Sequence, residues 1–421
     1  MPPLGENLPL LNPSVAKADD IAKESSSSVG YLIGGVQILT LLYLFFFSSY
    51  ADVDAFTTPQ YVIFRDIMVM LLLGFGYLMT FLEKYGLGAV GFTMLLTAIN
   101  MECNFIFEGY FSSEHEMSME KIINAEFSAA ALLISFGALI GRATPLQMCI
   151  IAIAEALFYA FNKVVLVLGL IFAEDVGGTI TIHMFGAYFG LAVAYALGPQ
   201  EKESASNNSA SRVSDVFSLV GTTLLWVYWP SFVGATETGV PENEMHCLVN
   251  TIVSLIGSTG ATFYFSQMLN EGKFDAVHVQ NSTLAGGVAI GATARLALGP
   301  GVALLVGILA GTISVFGYFY SSPYLESAFG IYDTCGVANL HGYPSLLGGL
   351  LSIFLVFIDH NNDFLYYGIG TQSIVQLFAV VVTLAVAVGS GYFTGSVLIH
   401  SPEIFSSVAD YEDAVWWIDV E

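Results

Sequence analysis

The feature that most constrains this chain is a series of long apolar segments that carry almost no charge. Only 11% of the 421 residues are charged, and 55% are hydrophobic. A soluble domain has about a quarter of its residues charged, whereas a helix that crosses a bilayer needs about 20 consecutive apolar residues. Segments 29–47, 68–81 and 377–388 are nearly uncharged, and most of them lie within runs long enough to span a bilayer. The sequence therefore predicts an all-α integral membrane protein.

Polar stretches and breakers divide the apolar sequence into about twelve predicted transmembrane helices. We expect a polar tail at 1–28, a channel domain at 29–398 and an acidic tail at 399–421. The predicted spans lie near 29–49, 61–82, 87–107, 121–141, 145–171, 176–197, 214–236, 246–269, 278–298, 301–320, 334–358 and 368–397.

The distribution of basic residues predicts the orientation of these spans. Cytoplasmic loops of membrane proteins carry an excess of lysine and arginine. Arg65, Lys121 and Arg295 lie on one side of the predicted topology. The other side, together with the N-terminal tail, holds Lys17, Lys23, Lys84, Arg142, Lys202, Arg212 and Lys273. We therefore expect both termini in the cytoplasm. The outer loops are acidic, which either attracts cations or only keeps that face soluble.

Charge and cysteine content exclude other classes of protein. The net charge of −24 leaves no basic surface for phosphates, so nucleic acid is not an expected partner. The four cysteines fall in or beside apolar segments and are interpreted as core residues. No third ligand accompanies the histidines discussed below, so we expect no metal site. The sequence indicates neither a cofactor nor an enzyme.

A repeated motif is the most informative pattern. The sixth span begins with Asp175-Val-Gly-Gly-Thr-Ile-Thr-Ile-His183, and the eleventh begins with Asp333-Thr-Cys-Gly-Val-Ala-Asn-Leu-His341. Five spans separate them, so they enter the membrane from opposite sides, as in an inverted repeat of five plus five helices. Eight α-helical residues rise about 12 Å, which would bring both histidines near the middle of a core about 30 Å thick.

The individual residues of the motif allow more than one interpretation. His183 and His341 either line a pore or only join two helices, and ionisable residues within the membrane favour the pore. Asp175 and Asp333 are expected to cap helices, to shape pore entrances, or to do both. We expect Lys163 to extend its ammonium group outward from its span.

Several long motifs carry a resemblance to a known family. The chain resembles the Rh glycoprotein branch of the ammonium transporter superfamily from about Val29 to the last span. The matching segments are Gly74-Phe-Gly-Tyr-Leu-Met-Thr-Phe-Leu82, Asn124-Ala-Glu-Phe127, the two histidine motifs with the residues that follow them, Trp229-Pro-Ser-Phe232 and Asp275-Ala-Val-His-Val-Gln-Asn-Ser-Thr-Leu-Ala-Gly-Gly287.

The resemblance implies roles for residues along the pore. His183 and His341 would be twin histidines in a narrow apolar channel. Phe127 and Phe232 would form a stacked aromatic gate above them. The resemblance also implies a homotrimer in the plasma membrane, with one pore per subunit, that passes ammonia or ammonium.

The resemblance extends to the two vestibules and leaves the cargo open. Asp215, Asp275 and Glu326 match positions that make the inner vestibule acidic. Lys163 stands where an acidic residue of the outer vestibule is usual in the family. The Rh branch is thought to pass NH3 electroneutrally or to exchange ammonium for a proton. CO2 passage, and a sensor or scaffold that does not conduct, are the alternatives.

Overall fold

The computed structural model describes residues 13–52, 58–198, 209–237, 240–357, 366–400 and 412–418, with side chains in the first helix from Ser28 onward. Helical structure accounts for nearly all of these ranges. Most of the predicted tail at 399–421 and residues 1–12 of the predicted N-terminal tail lie outside them. Within the described part, the first helix begins at Pro13, well before the predicted start of the first span.

The helices follow the predicted apolar segments closely. Ten helices in the described part of the chain are long and apolar enough to cross a membrane. In chain order the helices are α1 (Pro13–Phe47), α2 (Thr58–Phe81), α3 (Gly86–Ser112), α4 (Met119–Leu139), α5 (Pro145–Ile171), α6 (Thr179–Leu197), α7 (Arg212–Val233), α8 (Pro241–Leu269), α9 (Ala276–Ser282), α10 (Ala285–Ile290), α11 (Pro300–Phe329), α12 (Ala338–Gly342 continuing as Tyr343–Leu355), α13 (Ile369–Ile399) and α14 (Asp413–Trp416).

Two of the twelve predicted spans, at 278–298 and 334–358, are not among these ten helices. The span predicted at 278–298 is divided into α9, α10 and a short 3-10 turn at Gly291–Thr293. The span predicted at 334–358 corresponds to α12, which starts with a π-helical turn. Irregular backbone is tolerated at membrane depth only where protein surrounds it. The backbone N–H of Gly177 accordingly donates to the carbonyl of Gly291 at 2.9 Å.

Helix α4 lies at the centre of the domain and carries one side of the candidate site. Every residue from Ala125 to Leu139 is buried. The outward faces of α1, α8, α11 and α13 instead expose large apolar side chains, such as Phe45 with 75% of its surface exposed. A soluble monomer rarely exposes contiguous apolar surface on this scale. The protein is an integral membrane protein, as its composition predicted.

The described part of the C-terminal tail returns to the membrane domain. The Asp413 carboxylate accepts hydrogen bonds from the backbone N–H groups of Leu87 and Gly88, both at 2.7 Å. Lys84 forms an ion pair with Glu412 at 2.8 Å. Burial raises the pKa of Asp413, and the two backbone hydrogen bonds oppose that rise. This acidic segment therefore caps the start of α3, where free N–H groups favour an anion.

Candidate functional site

The two predicted histidines meet inside the helical domain. Nδ1 of His341 lies 3.2 Å from Nδ1 of His183, and the ring centroids are 5.2 Å apart with an interplanar angle of 17°. His183 is 1% exposed and His341 is 2% exposed. Because one Nδ1 must carry the proton that the other accepts, the pair is held in opposite tautomers when both rings are neutral.

Aromatic side chains extend this contact into a column. Trp229 stacks on His183 with ring centroids 5.5 Å apart, and Phe75 stacks on His341 at 5.9 Å. Phe232 lies 5.7 Å from the His183 ring. Phe127 contacts Phe232 edge to face, with centroids 5.1 Å apart and an interplanar angle of 80°. The two phenylalanines therefore adjoin, but they are not stacked as the resemblance implied.

Each histidine is positioned by the motif that precedes it. The Asp175 carboxylate accepts hydrogen bonds from the backbone N–H groups of Ile180 and Thr181 and from the Thr181 hydroxyl, at 2.7–3.1 Å. Between them, Gly178 adopts a left-handed φ of 69°. The histidine then lies in a π-helical segment, Thr179–Met184. The predicted rise of about 12 Å assumed an α-helix between Asp175 and His183. The structure instead has a left-handed turn followed by a π-helix.

The second motif repeats this construction. The Asp333 carboxylate accepts hydrogen bonds from the N–H groups of Val337 at 2.9 Å and Ala338 at 2.8 Å. Gly336 has a left-handed φ of 74°, and His341 lies in the π-helical segment Ala338–Gly342. Both aspartates therefore act as caps of the segments that carry the histidines.

Both aspartates lie outside the helices long enough to cross the membrane, and their pKa values are shifted by the same cause. Burial raises the pKa of Asp175 to about 7, against its hydrogen bonds to Ile180 and Thr181. Burial raises the pKa of Asp333 to about 6, and its backbone hydrogen bonds together with the charge of Arg142 oppose that rise. Each carboxyl can therefore change its protonation near neutral pH.

Two cavities flank the histidine column and differ in size and polarity. The outer cavity lies on the side predicted to be extracellular and has a volume of about 470 Å³. It is lined by Phe127 and by charged and polar residues that include Lys163 and Asp175. The inner cavity, below His341, has a volume of about 20 Å³ and an almost entirely apolar lining that includes Phe75. A single water-sized probe occupies about 10–15 Å³, so the inner cavity admits about one small molecule at a time.

The outer cavity is less acidic than its sequence suggested. Arg295 forms ion pairs with Glu174 and, at 2.9 Å, with Glu237. Lys163 is 9% exposed, and its Nζ donates a hydrogen bond to Oδ1 of Asn124 at 2.8 Å. Its ammonium group therefore stays inside the protein and does not extend outward as the sequence predicted.

The three residues assigned to the inner vestibule are only partly grouped. Asp215 accepts a hydrogen bond from the side-chain amide of Gln280 at 2.9 Å. Asp275 caps α9, the helix that carries Gln280, through the N–H of Val277 at 2.8 Å. Glu326 lies on the exposed surface of α11. Asp215 and Asp275 therefore both bind α9, at different positions along it, whereas Glu326 stands apart from their hydrogen bonds.

Comparison with known proteins assigns the chain to a family. The sequence matches the Ammonium Transporter Family over residues 43–412. The chain belongs to this family. It is 40% identical over 386 residues to the Ammonium transporter Rh type B of Danio rerio, covering 85% of this chain and 82% of that protein. It is 38% identical to the Mus musculus protein of the same name, covering 89% of this chain and 86% of that one.

Solved structures of the ammonium transporter family support the same assignment. A structure described as Nitrosomonas europaea Rh50, with the mechanism of conduction by the Rhesus protein family of channels, superposes with a TM-score of 0.76 at 33% identity, covering 88% of this chain and 94% of that one. A Sensor Amt Protein superposes with a TM-score of 0.71 at 17% identity, which shows a shared fold alone. The predicted fold class and the resemblance to the Rh branch are confirmed.

Sequence reasoning missed two residues of the column in this transporter-family chain. Trp229 and Phe75 fall within the matching motifs, but no role was assigned to either. Both are buried, and an aromatic residue in an apolar span is read as core by default. The available signal was proximity in sequence, because Trp229 precedes Phe232 by three positions, close to one helical turn.

Metal-ligating residues do not gather anywhere in the described ranges: no group of three or more His, Cys, Asp or Glu side chains there could hold a metal ion. Three other histidines of the described ranges have local partners. His115, for example, is hydrogen-bonded to Tyr43 at 3.0 Å, and His278 to Ser266 at 3.2 Å. The imidazoles of His183 and His341 are instead paired with each other.

Proposed function

We propose that this chain is an ammonia channel that conducts neutral NH3 past His183 and His341. The observation that supports the proposal most is the contact between two buried imidazoles, 3.2 Å apart, at the narrow point between the two cavities. The names of the Rh relatives, which are ammonium transporters, support the cargo. The fold and the family support a membrane channel.

The physical reason for neutral conduction is the cost of removing a charge from water. An ammonium ion in an apolar constriction loses its hydration without a compensating partner, whereas neutral ammonia loses little. The inner cavity is lined almost entirely by apolar side chains, among them Leu133, Ile134 and Leu340. The ion therefore gives up its proton before the constriction, and the proton remains on the side of entry.

The imidazole pair supplies the hydrogen bonds that a passing ammonia molecule requires. Nε2 of His183 is buried and has no hydrogen-bond partner within the described residues. Opposite tautomers at Nδ1 make one of the two Nε2 atoms a donor and the other an acceptor. Ammonia both donates and accepts hydrogen bonds, so the pair offers it one of each.

The aromatic pair and the two aspartates act at the ends of this path. Phe127 and Phe232 separate the outer cavity from His183, and they must move apart to admit a molecule. Asp175 lines the outer cavity while its carboxylate holds the turn that positions His183. We therefore propose that Asp175 and Asp333 both cap the π-helical segments, and that Asp175 also shapes the approach to the pore.

The same proposal includes the assembly and its orientation. We propose a homotrimer in the plasma membrane, with one pore in each subunit and both termini in the cytoplasm. The resemblance to the Rh branch supports the trimer. The excess of basic residues on one side of the predicted topology supports the orientation. Asp215 and Asp275 would then make the cytoplasmic vestibule acidic, together with Glu326 at its exposed rim.

Stopped-flow measurements on proteoliposomes test the function. The purified protein should accelerate ammonia uptake relative to liposomes without protein, and a membrane potential imposed with potassium and valinomycin should leave the rate unchanged. A rate that follows the potential would contradict electroneutral conduction. Acceleration of CO2 uptake alone would assign the channel to CO2, and acceleration of neither gas would favour a sensor or scaffold.

A further inference from the structure

A lysine occupies the position directly above the aromatic pair. Lys163 belongs to the π-helical part of α5, Phe161–Ile171, and its side chain turns into the outer cavity. Its Nζ lies over the ring of Phe127, 5.4 Å from the centroid, and 5.9 Å from the centroid of Tyr159. The third contact is the hydrogen bond to Oδ1 of Asn124 at 2.8 Å.

These contacts are the ones that a bound ammonium ion would use. A lysine side chain ends in an alkylated ammonium group, with the charge and the N–H donors of the free ion. Cations are attracted to the faces of aromatic rings within about 6 Å of the centroid, and an amide oxygen accepts one of the donors. The protein has therefore filled a cation site above the gate with its own ammonium group.

Three carboxylates face the lysine across the cavity. Glu108, Glu120 and Asp175 interact electrostatically with Lys163 and line the same cavity. Their charges oppose the cost of burying the lysine charge and attract cations to the rim of the cavity. A free ammonium ion that reaches this rim meets a like charge before it reaches Phe127.

We propose that Lys163 determines specificity: its tethered ammonium group occupies the last cation position above Phe127, so that ammonium ions are excluded there and only neutral ammonia continues. The inference rests on the proposed function, since it concerns which form of the cargo passes the gate. A purely structural lysine, one that only joins α5 to Asn124 on α4, would hold the same contacts without affecting the charge of the cargo.

The test compares substitutions that separate charge from packing. Lys163→Met keeps the apolar stem and removes the charge, whereas Lys163→Arg keeps the charge. Lys121→Met is the matched control, because Lys121 is also buried near the outer loops but donates to the carbonyl oxygen of Glu114 at 2.6 Å. Each variant is reconstituted into proteoliposomes and measured twice: ammonia uptake without a potential, and ammonium-evoked current on a solid-supported membrane.

Lys163→Met should give an ammonium-evoked current at least tenfold above the wild-type level, while Lys163→Arg and Lys121→Met stay at that level. A current in Lys163→Met no larger than in the wild type, with ammonia uptake retained, would overturn the inference and leave the proposed function intact. Absence of uptake in the wild type would instead contradict the proposed function. If Lys163→Met fails to fold, Lys163→Gln carries the same test, because its amide still donates to Asn124.

Discussion

The two histidine motifs share their backbone construction and differ in their surroundings. In both, an aspartate caps the turn, a left-handed glycine follows three residues later, and the histidine lies in a π-helical segment. The motif of Asp175 lies beside a polar cavity of about 470 Å³, whereas the cavity beside His341 has about 20 Å³ and an apolar lining. A duplicated frame thus holds two imidazoles between a large cavity with charged lining residues and a small apolar one.

The anchors of the two motifs also differ. Thr179 joins its motif to α10 and to the 3-10 turn that follows α10. Its hydroxyl donates to the carbonyl of Val288 at 2.6 Å and accepts from the N–H of Ala292 at 2.8 Å. In the other motif the Tyr318 hydroxyl donates to the carbonyls of Cys335 and Gly336, at 3.1 and 3.2 Å. A buried threonine hydroxyl anchors one turn and an aromatic side chain the other, so equal substitutions need not have equal effects.

Removing either histidine should produce the largest effect and a symmetrical one. His183→Ala and His341→Ala each leave the remaining buried imidazole without its partner, at about 1–3 kcal/mol, so ammonia permeability should fall about tenfold or more in each. The double variant should be little worse, because the two rings act as a unit. Stopped-flow uptake in proteoliposomes measures all three.

His115→Ala serves as the control for the histidine variants, because His115 is bonded to Tyr43 rather than to the pair. Unchanged uptake in His183→Ala would contradict the mechanism. Additive losses in the double variant would show instead that each ring acts alone, and the comparison between the two motifs would lose its basis.

The shared frame could be predicted from sequence, because it depends on local spacing. Asp-x-x-Gly followed by histidine fixes which backbone groups the carboxylate can reach and where a positive φ is required. Long apolar segments likewise predicted the helices, since hydropathy alone decides which segments enter a bilayer.

The surroundings could not be predicted, because they depend on other helices. The direction of Lys163 is set by Asn124 on α4 and by the ring of Phe127. Hydropathy reports how apolar a segment is, not whether its helix is interrupted, so the breaks between α9 and α10 and the π-helical turns were missed. The angle between Phe127 and Phe232 likewise follows from tertiary packing.

Alanine at Gly178 or Gly336 should lower the stability by an intermediate amount, and the difference between the two variants tests the comparison of the motifs. A Cβ on Gly178 would lie 2.3 Å from Cδ1 of Ile182, and one on Gly336 would lie 2.3 Å from Cε1 of Tyr318. Left-handed backbone costs a residue with a Cβ about 1–2 kcal/mol, and overpacking adds about 1–3 kcal/mol. Gly336→Ala should destabilise more than Gly178→Ala, because the Tyr318 ring is rigid and held by two hydrogen bonds.

Thermal unfolding in detergent, followed by tryptophan fluorescence, measures the difference between the glycine variants. Gly389→Ala is the control, since nothing lies within 4 Å of its Cβ position and alanine favours a helix. A larger destabilisation by Gly178→Ala would contradict this ranking. It would show that the turn after Asp175 tolerates an added Cβ less well than the turn after Asp333.

Removing the capping carboxylates should have the smallest effect on stability. Asp175→Ala and Asp333→Ala each remove a cap, which costs about 0.5–2 kcal/mol, so folded yield and ammonia flux should both fall. The loss should be greater for Asp175, whose carboxylate also accepts from the Thr181 hydroxyl at 2.8 Å. Normal yield and flux in both variants would exclude both roles.

Asparagine at the same positions separates the cap from the charge. The Asn side chain keeps one acceptor oxygen and loses the carboxylate, so a role limited to capping predicts that Asp175→Asn recovers yield and flux together. A role at the pore entrance predicts recovered yield with reduced flux, and we expect this second outcome for Asp175 because its carboxylate lines the outer cavity. Asp333→Asn should recover both, since Asp333 does not belong to the lining of the inner cavity. Identical behaviour of the two variants would mean that the two motifs are equivalent in chemistry as well as in backbone, and that the asymmetry lies in Lys163 alone.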